Sequence, residues 1–367
     1  MSTAPDPELF PYLDFQHCLN KAIDRYRTDL FTYGTAQGLP SLLHVLIRHL
    51  ADYQVFTRPE HLMVTSGVQQ ALAILTTMPF PSGRDTVLLE QPSYHLFVRL
   101  LNCYGIPARG ITRTEKGIDL NELEQLFQTG SIKLFYTIPR FHNPLGTSYT
   151  EDTKKAIAGL AKRYDVYIIE DDYLADLETN SKSDPIFAYG PSHVIYLKSY
   201  SKILFPGLRV GVAVLPHSLQ PIFSSYKQLS DIDSAMLSQA ALEIYIQSGM
   251  FERRKQRIVA TYHNRMLQLN RALALYNDLD DIRPVPVQSG VHTHILLPDE
   301  LQIPTLLNRL GKQQIVLKAL DDSYLDGFAV RPMLKLSITQ VREEQIEEGV
   351  SRIFDEIKRM RGMRTRR

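Results

Sequence analysis

Cysteine is almost absent from this sequence: the two residues, Cys18 and Cys103, stand far apart and in no CxxC spacing. That scarcity argues against a disulfide framework or a thiolate metal site, and it predicts a reducing, cytoplasmic setting. No apolar run reaches the length of a membrane span. The opening MSTAPDPELFPYLDF lacks the charged-then-apolar order of a signal peptide. Neither sign of charge predominates; the formal net charge is +1, so no global field favours nucleic acid or an anionic membrane. Only the closing KRMRGMRTRR is locally basic, and it reads as a solvated, frayed terminus. Two glycine signatures are missing as well. Neither GxGxxG nor GxxxxGK[ST] occurs, which removes the expectation of a dinucleotide or nucleoside triphosphate. There is also no GxSxG elbow for a Ser-His-Asp hydrolase.

What is present is a long alternation of short apolar runs and helical stretches. With 367 residues, the chain exceeds one ordinary core and predicts two domains. HLMVTSG, TVLLEQP, KLFYTIP, DVYIIED, VIYLKS and RVGVAVLP read as strands, separated by helical segments such as VQQALAILTTM, SYHLFVRLLNCYG, DLNELEQLF and TEDTKKAIAGLAKRY. Continuous apolar strands between helices predict an α/β fold: a mostly parallel central sheet with helices on both faces. Ligands in such sheets sit at the carboxyl ends of the strands. From about residue 250 the pattern changes to one long amphipathic helix, then VHTHILLP, TLLNRLG, MLKLSIT and a closing helix. That succession predicts a smaller α+β domain. The division expected is residues 41–264 for the large domain, with 1–40 and 265–367 forming the small domain and N-terminal segment.

Four groups of residues invite chemistry, and each has a plainer reading beside it. Ser66-Gly67-Val68-Gln69 follows a strand and opens a helix, presenting free N–H groups and a positive dipole end that suit a phosphate; an ordinary strand-to-helix turn looks the same. Asp171, with Asp172 and Tyr173, ends a buried strand. A carboxylate there needs a metal, an organic cation such as a protonated pyridine, or a structural ion pair. Ser199-Tyr200-Ser201-Lys202 places a lysine among hydroxyls with Arg209 seven positions on. Desolvation would free that amine for a carbonyl, while the serines and arginine suit a phosphate and Pro206-Gly207 folds Arg209 back. Asn143, in PRFHNPLG, holds an amide in a rigid loop at another strand end.

Taken together, YGTAQG, SGVQQAL, PSYHLF, HNPLG, EDDY and SYSKILFPGLRVG resemble the fold-type-I aminotransferases over nearly the whole chain. PELFP, IEDDY, SKILFPGLRVG, GMFERR followed by Tyr262 and Arg265, and SGVHTHILLP are similar to the MocR-type subgroup, whose aminotransferase-like domain usually follows a GntR-type DNA-binding domain. The resemblance implies pyridoxal 5′-phosphate carried as a Schiff base on Lys202, which would also shuttle the substrate proton. It implies that Asp171 keeps the pyridine nitrogen protonated, that Tyr173 and Asn143 bind the cofactor 3-hydroxyl, and that Tyr94 stacks on the ring. Ser66, Gly67, Val68, Ser199, Ser201 and Arg209 would cradle the phosphate. Tyr33 matches a tyrosine that reaches the neighbouring subunit's phosphate, which implies a homodimer.

Three positions depart from the pattern. Lys335 stands where the family has an arginine for the substrate α-carboxylate, and it lacks the planar fork; Arg331 is the nearby alternative. Leu145 replaces the threonine of NPTG, and Leu43 replaces an arginine. His292 and His294 alternate along a strand and so share a face, but no third ligand stands nearby and no metal is expected. The expected function is a transaminase acting on an amino acid and a 2-oxo acid. The alternative is the ligand-sensing effector portion of a MocR-like regulator; with no helix-turn-helix segment in view, the chain is not expected to bind DNA. A third possibility, elimination or decarboxylation, uses the same anchors.

Overall fold

The computed structural model describes residues 5–179 and 183–362; the last five residues of the basic tail lie outside these. Eleven α-helices punctuate the described chain. They are α1 (Tyr12–Tyr26), α2 (Pro40–Ala51), α3 (Val68–Thr77), α4 (His95–Tyr104), α5 (Leu120–Gln128) and α6 (Glu151–Tyr164), then α7 (Gln220–Ser230), α8 (Met236–Gln247), α9 (Met250–Tyr276), α10 (Ile303–Lys312) and α11 (Ile346–Met360).

Strands β1 (Leu62–Thr65), β2 (Thr86–Gln91), β3 (Ala108–Thr112), β4 (Ile132–Thr137), β5 (Tyr167–Asp171), β6 (Val194–Ser199) and β7 (Gly211–Val214) form one sheet in the order β1-β7-β6-β5-β4-β2-β3. Neighbours from β3 through β6 run parallel, whereas β7 pairs antiparallel with both β6 and β1. Every residue of β2, β4, β5 and β6 is buried, which explains why these strands read as unbroken apolar runs. The mostly parallel sheet expected from the sequence is present.

Local chemistry sets the helix ends. Thr150 caps α6 by accepting from the Thr153 N–H at 3.2 Å, and Glu151 and Asp152 occupy the positive first turn. Asp119 caps α5 in the same way, at 2.8 Å from the Asn121 N–H. α3 packs on β6 and β7, and α6 packs on β5.

A second, antiparallel sheet has the order β10-β9-β8, from β8 (Arg283–Val285), β9 (His292–Leu296) and β10 (Met333–Ser337). α10 and α11 pack together beside it. The 27-residue α9, about 40 Å long at 1.5 Å per residue, runs between the two regions and packs against both α8 and α11. The N-terminal segment is tied to α9 by Asp6, which receives Arg265 Nη2 at 2.9 Å. Among the described residues no helix is long and apolar enough to cross a membrane.

Candidate active site

The carboxyl ends of β4, β5 and β6 converge with the β1–α3 turn on one cavity of about 200 Å³. Its lining includes Gly67, Val68, Tyr94, Asn143, Asp171, Tyr173, Ser199, Ser201, Lys202 and Arg209. Ten of the residues singled out in the sequence thus meet in one place, although they span 143 positions of the chain.

One end of the cavity suits an anion. At the turn, Gly67 has φ +82°, and a Cβ built on it would stand 2.7 Å from Arg209 Nη2; glycine is needed here both for the backbone and for the guanidinium. Arg209 is itself left-handed, φ 55°, and donates to the Ser66 carbonyl at 2.7 Å. Ser201 and Ser199, both nearly buried, complete this end. The hydroxyl of Ser66 points elsewhere, donating to Asp231 at 3.0 Å, and Ser66 does not line the cavity.

At the other end stands Asp171, the last residue of β5. Its Oδ2 accepts from the Tyr136 hydroxyl at 2.8 Å, while Oδ1 is buried and meets no partner among the described residues. Burial raises its pKa to about 7, helped by Asp172 and opposed by Tyr136 and Lys202. A buried carboxylate oxygen without a donor costs on the order of 1–3 kcal/mol or more, so this atom calls for a cationic or N–H partner from a ligand. Asp172 has no such vacancy. Arg140 Nε lies 3.0 Å from it and the Tyr196 hydroxyl 2.9 Å, a closed ion pair within the core.

Lys202 lines the same cavity. Burial lowers its pKa to about 8, partly offset by Asp171. An amine so placed is available in its neutral form near neutrality. Tyr94 caps α4 with its ring in the cavity, and burial, then Asp171, raise its pKa to about 12. Tyr173 donates to the Phe141 carbonyl at 3.0 Å.

The Asn143 side of the cavity is built differently. Asn143 Oδ1 accepts from Lys335 Nζ at 2.5 Å, so this lysine of β10 meets a cavity residue without itself lining the cavity. Burial, and then the nearby Lys202 charge, lower its pKa to about 7. Arg331 does not reach it; its guanidinium faces Glu115 at 3.7 Å and it lines another cavity, with Asp299 and Asp321. Tyr33 is 83% exposed, outside the cavity. His292 and His294 donate to the carbonyls of His142 and Leu145, and among the described residues no group of three or more His, Cys, Asp or Glu side chains is arranged to hold a metal ion.

Two features escaped the sequence reading. Tyr136, the partner of Asp171, looks like one more aromatic in KLFYTI; only its register opposite Ile169 puts it on the face Asp171 uses. Glu90, fully buried in β2, accepts from Arg113 Nη1 at 2.6 Å, the Thr137 hydroxyl at 2.9 Å and the Ile138 N–H at 3.0 Å. Burial opposes its charge, but Arg113 and His142 outweigh that and hold its pKa at about 2.

Known proteins resemble this chain in sequence and in fold. The family model for aminotransferase class I and II matches residues 10–353. The uncharacterised HTH-type transcriptional regulator YcxD of Bacillus subtilis is 52% identical over 97% of this chain and 81% of its own length. The 2-aminoadipate transaminase of Thermus thermophilus is 27% identical over 95% of this chain and 87% of that enzyme. Among solved structures, the Pyrococcus horikoshii kynurenine aminotransferase superposes with a TM-score of 0.89 at 27% identity, covering 98% of this chain and 90% of that one.

Proposed function

This chain belongs to the aminotransferase class I and II family, and on that premise we propose that it moves an amino group between an amino acid and a 2-oxo acid with pyridoxal 5′-phosphate. The observation that carries the site assignment is the Lys202–Asp171 pair: a buried amine of lowered pKa facing a buried carboxylate whose Oδ1 lacks a donor. The residues present fit the cofactor. An N–H at the pyridine nitrogen would satisfy Oδ1, and a phosphate would sit on Arg209, Ser199, Ser201 and the N–H groups that open α3.

The cofactor supplies a carbonyl for the amine and a ring that accepts the electron pair left on the substrate α-carbon. This chain's residues do the rest. Lys202 would hold the cofactor through its amine, and the same amine is the base placed to move the substrate α-proton. Asp171 would hold a proton on the ring nitrogen, and Tyr136 fixes the carboxylate's orientation through Oδ2. Tyr94 would cover one face of the ring. Asn143 and Tyr173 would hold the cofactor's 3-hydroxyl, and Lys335 would receive the substrate carboxylate.

We further propose that a second copy covers the face bearing Tyr33. Phe31, Tyr33, Leu229 and Ile232 are all more than half exposed there, and Gly34 N–H bonds Asp233, which draws the two loops together. Isolated apolar residues on a surface are ordinary, but a cluster marks an interface.

The 52% identical relative is named as a regulator, so a second reading stands beside the first: cofactor and amine would set a conformation without turnover. One experiment separates them. The cofactor-loaded chain is mixed with L-2-aminoadipate, L-kynurenine or L-phenylalanine, and its visible absorption is followed. Transamination predicts that at least one amino acid bleaches the band and that a 2-oxo acid restores it, with the new amino acid released. Bleaching without release of a 2-oxo acid supports the regulator, and cofactor that responds to neither defeats transamination.

A further inference from the structure

The loop that carries Asn143 is held from two sides. On the large-sheet side, the Ile138 N–H donates to Glu90 Oε2 at 3.0 Å, inside the network that Arg113 and Thr137 close, and His142 Nε2 stands 3.1 Å from the same oxygen without hydrogen-bond geometry. On the other side stands the small sheet. His292 Nε2 contacts the His142 carbonyl at 2.9 Å, and His294 Nδ1 contacts the Leu145 carbonyl at 2.8 Å. These two rings project from one face of β9, and Lys335 of β10 is the cross-strand neighbour of His294. The approach is close throughout: a Cβ on Gly146, φ +80°, would lie 2.2 Å from the His292 carbonyl oxygen.

A peptide carbonyl only accepts, so His292 carries its proton on Nε2 and His294 on Nδ1. Burial holds both rings neutral, His294 with a pKa near 4 and His292 well below its usual value. Their remaining nitrogens meet no partner among the described residues. The polar capacity of both side chains is therefore spent on this loop. Apolar residues of similar size would fill the space but leave the Leu145 carbonyl without its donor and the His142 carbonyl with the Gly146 N–H alone.

We propose that His292 and His294 are positioning residues that fasten the backbone of the Asn143 loop to the strand pair carrying Lys335. The amide facing the cofactor and the ammonium facing the substrate carboxylate are thereby kept at one fixed separation, 2.5 Å from Oδ1 to Nζ. Neither histidine lines the cavity, so they act through Asn143 and Lys335. The inference rests on the reading of the site given above.

The test uses the full chain loaded with pyridoxal 5′-phosphate. Glutamine places an amide nitrogen where a histidine has Nε2, and asparagine where it has Nδ1. His292→Leu and His294→Leu are expected to weaken the response to L-2-aminoadipate about tenfold, the loss of one buried hydrogen bond, and to alter the cofactor's visible band. His292→Gln and His294→Asn should restore both properties to within about threefold of the parent, whereas His292→Asn and His294→Gln should not. Asparagine and glutamine behaving alike at each position would overturn the proposal. So would leucine variants that lose only thermal stability while band and response stay parental. Should the leucine variants fail to fold, the two amides at each position decide alone. Because the visible band is read without turnover, a chain that holds cofactor but does not transaminate defeats the functional reading and leaves the histidine test intact.

Discussion

The two halves of the proposed site, one for the cofactor and one for the substrate carboxylate, follow different building rules. The cofactor half is made at the ends of buried strands: Asp171 closes β5, Ser199 closes β6, and the Gly67 turn follows β1. Strand, turn and side chain are fixed by the same packed sheet, so each position is set by local sequence. The carboxylate half rests on Lys335, which comes from the small sheet, and on Asn143, whose loop is clasped between the two sheets. Its geometry exists only once the sheets meet. Electrostatics separate the halves too: the first pairs amine with acid, while the second holds a cation whose fixed partner is a neutral amide.

If that contrast is right, damage to the first half abolishes chemistry and damage to the second weakens binding. The largest effect is expected for Asp171→Asn, which removes the charge that holds the ring proton; kcat should fall about 100- to 10,000-fold, measured in single-turnover mixing with saturating amino acid. Lys335→Ala removes a charge-assisted contact worth roughly 1.5–3 kcal/mol, so KM should rise about ten- to a hundredfold with a smaller change in kcat. A pH series sharpens the same point. The Lys335 ammonium is present below its pKa of about 7 and lost above it, so KM should climb as pH rises through that value. Burial is the larger cause of the depression, so the trend persists once the Lys202 amine is taken up. Lys335→Arg should flatten the profile, since arginine stays charged; equal slopes in parent and variant would contradict the assignment. Arg331→Ala is expected to change KM by no more than about threefold, as befits a half-exposed partner of Glu115 outside the cavity.

The same contrast explains what could be read in advance. Strands buried on both faces announce themselves as apolar runs, so the places of Asp171 and Lys202, at or just past strand ends, could be read in advance, whereas that of Asn143 depends on how the two sheets meet. β3 was not, because ARGIT at the sheet edge is only partly buried, and its Gly110 leaves room for Phe328 and Gln91. α8 was missed as well; eight of its twelve residues are buried, which erases the helical stripe. Arg331 and Lys335 could not be told apart by spacing, since only the β9–β10 pairing fixes which one meets Asn143. Likewise Ser66 looks like a phosphate ligand in sequence, but Asp231 on a distant segment takes its hydroxyl.

Three buried or half-buried lysines lie at or near the site, and the account depends on choosing among them. Lys198 is paired with Asp176 at 2.8 Å and lies 4.1 Å from the centre of the Tyr53 ring, Lys335 is held by Asn143, and Lys202 faces the cavity. Borohydride reduction of the cofactor-loaded chain, followed by peptide mass mapping, reads the choice directly. The account predicts a pyridoxyl adduct on the Lys202 peptide alone, lost in Lys202→Ala together with the visible band while the fold is retained. An adduct on Lys198 or Lys335, or a visible band that survives Lys202→Ala, would contradict it.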